Sequence, residues 1–323
     1  MTSVAQNFFP PVAFNKGKKY IWNPIHKKRL KDRPEERVRQ RIIDFLLTTE
    51  SWSAHRLGLE VPLNTPDSQN PKRADLICYG DDFAPRILVE CKSEDVGLDE
   101  KAARQITKYN QELNVPYLLL SNGMQDLWFD LANNTPRLLN TVELPLPATQ
   151  LPQVSDRGFR YWNARGFLGK NAVPEIRRWC LQALRELDIA QLGNVGSGSV
   201  RYITINQKMD ELSPSHYYRV VPISRQESPP TYLAMTIAST PYGGTRLMAI
   251  SINGNNAEQF MAVNLDLMAS GIPINATIYS PGQTTNFNAA EHIPLDLQQP
   301  DAIQFETLKN SILQSFDNVL AKS

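Results

Sequence analysis

Two short β-like runs hold the side chains of this sequence best suited to chemistry. Residues 73–79 (RADLICY) and 86–92 (RILVECK) flank the turn-like segment GDDFAP at 80–85. With 80–85 as the turn, an antiparallel hairpin sets Tyr79 opposite Arg86, Asp75 opposite Glu90 and Arg73 opposite Lys92. Alternation along each strand then puts Arg73, Asp75, Glu90 and Lys92 on one face. The other face is Ala74, Leu76, Cys78, Ile87, Val89 and Cys91, apolar or thiol throughout and therefore a core face. Like charges directly opposed on a sheet destabilise it by about 0.2–1 kcal/mol, and burial raises the cost. A divalent cation held between the carboxylates offsets that cost, and oxygen donors without a His or Cys cluster suit Mg²⁺ or Mn²⁺ rather than zinc. Lys92 stands beside such an ion. A metal that polarises a phosphoryl oxygen and lowers the pKa of its bound water, next to a lysine that steadies growing negative charge, is equipment for phosphodiester hydrolysis. The same residues also permit a salt-bridged scaffold, with Arg73 and Lys92 neutralising Asp75 and Glu90.

The elements that must position these residues can be read from periodicity. A first helix opens at Asp32, an N-cap candidate with Pro34 in the first turn and Glu35 at capping-box spacing. Its apolar stripe of Val38, Ile42, Ile43, Leu46 and Leu47 carries it to about Thr48. After the two β-like runs, a second helix is expected over 99–113, with Ala102, Ile106, Tyr109 and Leu113 on one side. Strands follow at 115–121 and 126–131, joined through an Asn122-Gly123 turn. The order helix, strand, strand, helix, strand, strand reads as a mixed α/β domain. The uncharged, proline-rich segment within 144–156 reads as a linker. Beyond it, Asn171 and Pro174 start a helix to about Leu187, with Ile176, Cys180, Ala183 and Leu187 on its buried side. Five β-like runs and a closing amphipathic helix through Leu308, Ile312, Phe316 and Leu320 complete an α+β domain. The divisions are a basic N-terminal arm (1–29), an α/β domain (30–143), the linker (144–156) and the α+β domain (157–323).

Charge is distributed unevenly in a chain whose formal net charge is only +1. Residues 1–41 hold eleven Lys/Arg against three acids, residues 42–150 nine against sixteen, and the remainder is balanced. A basic entry segment containing Tyr20 and Trp22 suits contact with a phosphate backbone, and it also suits a plain solvated arm. The absence of Lys and Arg between Arg246 and Lys309 makes that part a poor phosphate binder, better read as a spacer, dimer surface or specificity module. Cys78, Cys91 and Cys180 are too few and too scattered for a disulfide framework and fit a reducing cytoplasm. No apolar run reaches membrane-spanning length, so no membrane partner is expected. The four histidines are far apart, which leaves a histidine-metal or Ser/His/Asp site unsupported.

Five strings carry a resemblance: PEERVRQ at 34–40, RADLICY at 73–79, VECKSEDV at 89–96, RQITKYN at 104–110 and LLLSNG at 118–123. In order and spacing they resemble the N-terminal nuclease domain of type I restriction enzyme R subunits, part of the PD-(D/E)XK phosphodiesterase superfamily. The resemblance implies a restriction-endonuclease-like mixed-sheet α/β core flanked by helices at 30–143, followed by the second α+β domain. It implies that Asp75, Glu90 and the Cys91 carbonyl bind Mg²⁺ or Mn²⁺, that Glu36 or its neighbour Glu35 completes the metal shell, and that Lys92 is the catalytic lysine. Gln105 and Tyr109 match a Q-x-x-x-Y signature that orders the site and contacts nucleic acid, although Tyr109 equally fits the core stripe of its helix. Arg73 would be a further substrate contact, and Glu60 a further acidic neighbour. The function implied is a metal-dependent DNA endonuclease of restriction–modification type, with RNA left open as the nucleic acid. No G-x-x-x-x-G-K-[ST] loop is present, so no ATP motor is expected; GFLGK at 166–170 and GNVGSGS at 193–199 lack the spacing or the lysine. The alternative is a catalytically inactive nucleic-acid-binding or protein-interaction module that retains the nuclease fold. A homodimer through the C-terminal domain is the expected assembly.

Overall fold

The structure of the protein, a computed structural model, describes residues 1–49, 52–62, 73–99, 113–131, 136–146, 157–187, 189, 199–206, 212–224 and 229–320. The chain divides into two compact units. One comprises Met1–Ala13 with Tyr20–Pro152, the other Phe14–Lys19 with Gln153–Ser323, so the division falls inside the 144–156 segment.

The basic N-terminal region is folded rather than a solvated arm. Strands β1 (Val12–Asn15), β2 (Lys18–Asn23) and β3 (Lys28–Leu30) form a three-stranded sheet in that order. Their charges escape period-two apolar patterning, which is why the sequence hides them. Lys27, Lys28, Arg29, Lys31 and Arg33 remain exposed in front of helix α1 (Pro34–Thr48). The cap of α1 is Arg33 rather than Asp32, and no side chain bonds there. Pro34, with its fixed φ and missing N–H, takes the first helical position, and Asp32 instead pairs with Arg37 at 2.6 Å.

A six-stranded sheet follows, in the order β4 (Leu57–Pro62), β5 (Arg73–Tyr79), β6 (Pro85–Cys91), β7 (Tyr117–Ser121), β8 (Asp126–Asp130) and β9 (Arg137–Leu138). All neighbours are antiparallel except β6 and β7, which run parallel. Both faces of the β5–β6 hairpin are core, whereas the sequence suggested only one. Leu76, Cys78, Ile87, Val89 and Cys91 pack with Val38, Ile42, Ile43 and Phe45 of α1. Ala74, Ile77 and Leu88 join Val115, Leu118 and Leu120 in a separate cluster. The helix expected over 99–113 lies almost wholly outside the described residues. The Asn122-Gly123 turn is present between β7 and β8: the Asn122 carboxamide oxygen accepts the N–H groups of Met124 and Gln125 at 3.0 and 2.8 Å, and Gly123 has φ +78°.

Two buried polar groups fasten the first residues of the chain to this sheet. Asp126 accepts from Val4 N–H at 2.8 Å and from the Ser121 hydroxyl at 2.5 Å. Arg41, 3% exposed, donates to the carbonyls of Ala5, Gln6 and Phe8 and to Glu94 at 2.5 Å, just beyond β6. Asn122 holds the same loop by donating to the Val96 carbonyl.

In the second unit, α2 (Phe159–Ala164) and α3 (Pro174–Glu186) precede seven strands paired antiparallel in chain order. These are β10 (Ser199–Ile203), β11 (His216–Ser224), β12 (Thr231–Ser239), β13 (Thr245–Asn253), β14 (Asn256–Asn264), β15 (Ala276–Ser280) and β16 (Gln283–Phe287). Helices α4 (Leu265–Ala269), α5 (Ala289–His292) and α6 (Phe305–Leu320) complete it. The first turn of α3 is set by Pro174 with Val173 as cap, while Asn171 donates to the Tyr242 carbonyl. Ile176, Cys180, Ala183 and Leu187 are buried as expected, joined by Trp179. His216 is 3% exposed against the Phe167 ring, and its Nε2 has no hydrogen-bond partner among the described residues. The three cysteines are free and buried, and no helix among the described residues is long and apolar enough to cross a membrane.

Two stability predictions follow from these buried groups. Arg41→Met removes the donor to Glu94 and to the Gln6 and Phe8 carbonyls, and one of two donors to the Ala5 carbonyl, and should cost about 3 kcal/mol in urea unfolding; a loss below about 1 kcal/mol would show that water replaces these bonds. Burial, and then the nearby Lys19 charge, hold His216 well below the usual imidazole range. The unfolded chain then binds a proton that the folded chain refuses. Stability is complete above about pH 6.5 and falls as pH drops below it, by up to about 1.4 kcal/mol per pH unit. His216→Phe should melt with a shallower pH dependence between pH 6.5 and 5, and equal slopes in the two proteins would refute this.

Candidate functional site

The site begins with the register of β5 on β6. Leu76 pairs with Val89, Ile77 with Leu88 and Cys78 with Ile87, as the hairpin numbering requires. Near the turn the pairing slips, so Tyr79 faces Pro85 and not Arg86; a bulge absorbs the extra residue. The slip lies at the turn end of the hairpin. At the other end the paired ladder stops at Leu76 with Val89, and beyond it the Asp75 charge acts on Glu90.

Asp75 is held at both oxygens. Its Oδ2 accepts the Cys91 backbone N–H at 2.8 Å, and its Oδ1 faces Arg39 Nη1 at 3.3 Å. Glu90 Oε1 accepts from Lys92 Nζ at 2.9 Å. Arg39, from the middle of α1, also bonds Glu36 through Nε and Nη2 and approaches Glu60 Oε1 at 3.4 Å. Glu36 further accepts from Gln40 at 2.8 Å. Glu60 has φ +50°, the left-handed region that a non-glycine residue rarely enters. It is skipped in the β4–β5 ladder, where Leu59 pairs with Leu76 and Val61 with Ala74.

The electrostatics follow from burial and crowding. Burial pushes the Asp75 carboxyl above the usual carboxylate range, against the Cys91 N–H and Arg39, which pull it down, and Glu35 pushes it further up. Burial likewise raises Glu90; the Asp75 charge raises it next, while Lys92 opposes. Burial works against the Lys92 charge, yet the bond to Glu90 and the charges of Glu90, Glu35 and Asp75 hold its pKa above the ordinary lysine value. The Cys91 thiol is pushed well up by burial and by Asp75, which makes it inert. Five carboxylates (Glu35, Glu36, Glu60, Asp75, Glu90) thus share two cations (Arg39, Lys92), a formal excess of three negative charges.

The structure corrects the expected site in several places. The Glu35 charge acts on Asp75, Glu90 and Lys92, while Glu36 is bonded to Arg39 and Gln40 and its charge acts on Cys91. Arg73 is exposed, pairs in the ladder with Pro62 and makes no ion pair among the described residues, so it is not the partner of Asp75. That partner is Arg39, which sequence reasoning missed although its i+3 relation to Glu36 places both on one helix face. Gln105 and Tyr109 lie outside the described residues. No three His, Cys, Asp or Glu side chains among the described residues are gathered closely enough to hold a metal ion.

The donor chemistry nonetheless fits a hard divalent cation. Asp75 and Glu90 present carboxylate oxygens in a region with surplus negative charge, and Mg²⁺ commonly takes only one or two protein carboxylates while keeping its waters. These residues lie in the stretch that a family comparison recognises. Residues 34–145 match the family described as type I restriction enzyme R protein N terminus. The R-protein-like stretch covers about a third of the chain and contains α1 and all of β4 to β9. No curated protein and no solved structure matches the chain.

Opposed, partly buried acids make a specific stability prediction. Because the Glu90 pKa is raised on folding, its contribution favours the folded state at low pH and is lost as pH rises through the unfolded and then the folded value. Glu90→Gln keeps an acceptor for Lys92 and removes the repulsion. Without divalent ions it should be more stable than wild type at pH 8 by about 1 kcal/mol, with the gain shrinking towards pH 4. A destabilised variant at pH 8 would show that the Lys92–Glu90 pair outweighs the repulsion.

Proposed function

We propose that the R-protein-like domain is a Mg²⁺- or Mn²⁺-dependent phosphodiesterase acting on DNA, built on a restriction-endonuclease-like, PD-(D/E)XK-type core. The observation that carries this reading is the proximity of Asp75 and Glu90, close enough for the one charge to act on the other, with Lys92 bonded to Glu90, inside the stretch matched to restriction R proteins. Asp75, Glu90 and the Cys91 carbonyl would hold the ion, with Glu35 or Glu36 supplying the α1 acid. The bound ion would polarise a phosphoryl oxygen and lower the pKa of a water. Lys92, kept cationic by its acidic neighbours, orients the attacking water and stabilises negative charge growing on the phosphate. Asp75 is fixed in direction by the Cys91 N–H, and the loop after Lys92 is fixed by Arg41 and Asn122, so the lysine works from a held backbone. The exposed Lys27, Lys28, Arg29, Lys31 and Arg33, immediately before α1, offer phosphate contacts for a duplex backbone.

A second reading is favoured by one specific observation: Arg39 sits on Asp75 and Lys92 on Glu90, the arrangement of a salt-bridged scaffold. On that reading the domain binds nucleic acid or a protein partner without cleaving. Incubating the full chain with supercoiled plasmid and with single-stranded DNA, plus Mn²⁺ or Mg²⁺, separates the two. The enzyme reading expects cleavage that Lys92→Ala reduces at least about a hundredfold and that Asp75→Asn abolishes. Uncut DNA together with no calorimetric Mn²⁺ binding would leave the scaffold reading standing.

A further inference from the structure

Arg39 is placed unusually for a residue in a metal-binding neighbourhood. Its side chain, 11% exposed, touches three carboxylates from three elements: Glu36 on α1, Glu60 on β4 and Asp75 on β5. The contacts are unequal. Glu36 is engaged by two guanidinium nitrogens, while Asp75 is reached by one nitrogen at 3.3 Å and Glu60 by another at 3.4 Å. The Asp75 oxygen facing Arg39 is Oδ1, and the other oxygen is already committed to the Cys91 N–H. A cation approaching Asp75 must therefore compete for Oδ1, and Arg39 opposes its approach both by occupying that oxygen and by like-charge repulsion.

We propose that Arg39 is a positioning residue that governs ion occupancy at Asp75: it neutralises the acid when no ion is bound and transfers to Glu36 and Glu60 when one binds. The inference rests on the metal-dependent reading of the site given above. Glu60 is the acid that makes the transfer possible. It is skipped by the β4–β5 ladder, its side chain is about half exposed, and it meets the guanidinium at Nη2, the nitrogen that also bonds Glu36. Arg39 keeps two carboxylate partners after it leaves Asp75, so its charge is never stranded. An ion and the arginine are alternatives at one oxygen, and the domain is stable in either state.

The test is calorimetric titration of Mn²⁺ into the full chain and three variants, alongside the rise in thermal midpoint that Mn²⁺ produces in each. Arg39→Gln removes the competitor and should bind Mn²⁺ about tenfold more tightly than wild type. Arg39→Lys restores the charge and should return the affinity towards wild type. Glu60→Gln takes away the alternative partner and should weaken binding several-fold. In the double variant Arg39→Gln/Glu60→Gln that weakening should vanish, because Glu60 acts through Arg39. Unchanged or weaker binding by Arg39→Gln, or a Glu60 effect that persists in its absence, overturns the proposal while leaving the metal site intact. Absence of Mn²⁺ binding by wild type and Arg39→Gln alike overturns the metal reading itself, and this inference with it. Should Arg39→Gln fail to fold, the same single and double variants are made with Arg39→Met, with the same expected and overturning outcomes.

Discussion

The first unit is organised around one electrostatic constraint: the β5–β6 hairpin that buries Leu76, Cys78, Ile87 and Val89 also carries Asp75 and Glu90, and the Asp75 charge acts on Glu90. The hydrophobic pairs Leu76 with Val89 and Cys78 with Ile87 fix the register, and a slip of one residue would turn the core side chains outward. Core packing therefore enforces a repulsion that would otherwise be relieved by sliding. Arg39, Lys92 and the Cys91 N–H each pull against the raised carboxyls, which stay above their ordinary range chiefly because they are buried and secondarily because of neighbouring acid charge. A region in which packing compels charge crowding is where a bound cation has the most to contribute.

The surrounding polar tethers make sense as supports for that compelled geometry. Lys92 leaves the end of β6 with its own N–H bonded to the Ser121 carbonyl, extending the parallel pairing by one residue. The next residues are tied by Glu94 to Arg41 of α1 and by Val96 to Asn122. The helix that presents Arg39 outward thus fixes, through Arg41 two residues later, the loop that carries the lysine. The loop after Lys92 is thereby tied to a helix and to the β7–β8 turn rather than left to itself.

Much of this was legible in the sequence, and the parts that were not share a physical cause. The hairpin register, β7, β8 and their Asn-Gly turn, the helix from Pro174 and the meander after residue 199 all announce themselves through periodicity or turn chemistry. Asp75, Glu90 and Lys92 emerged from spacing alone. Strands β1 to β3 did not, because a charged, half-exposed sheet has no apolar alternation to read. Strand β4 was obscured by its own irregularity at Glu60. The choice between Glu35 and Glu36 depends on helix rotation to within one residue, and Arg39 as partner of Asp75 is a long-range contact that no local pattern encodes. The second core face was missed because a short apolar run does not say how many of its sides are covered.

The two units also differ in the chemistry they can support. In the second, the strands around β12 and β13 are buried along most of their length, and their polar side chains are largely spent internally. Arg246 bonds Asn264 and Asp266, and Arg219 bonds the Glu186 carbonyl and lies over Phe305. With no Lys or Arg between Arg246 and Lys309, this sheet offers little that could neutralise phosphates. The exposed cations just before α1 and the crowded acids both belong to the first unit, so attraction of a polyanion and the hydrolysis proposed for it would draw on the same short region of chain, from the basic residues before α1 to Lys92. A nucleic-acid backbone brought to that region meets repulsion from the acids unless their surplus charge is neutralised. Occupancy of the carboxylates by a cation would then be a condition for binding as well as for cleavage, which couples the two steps through electrostatics alone.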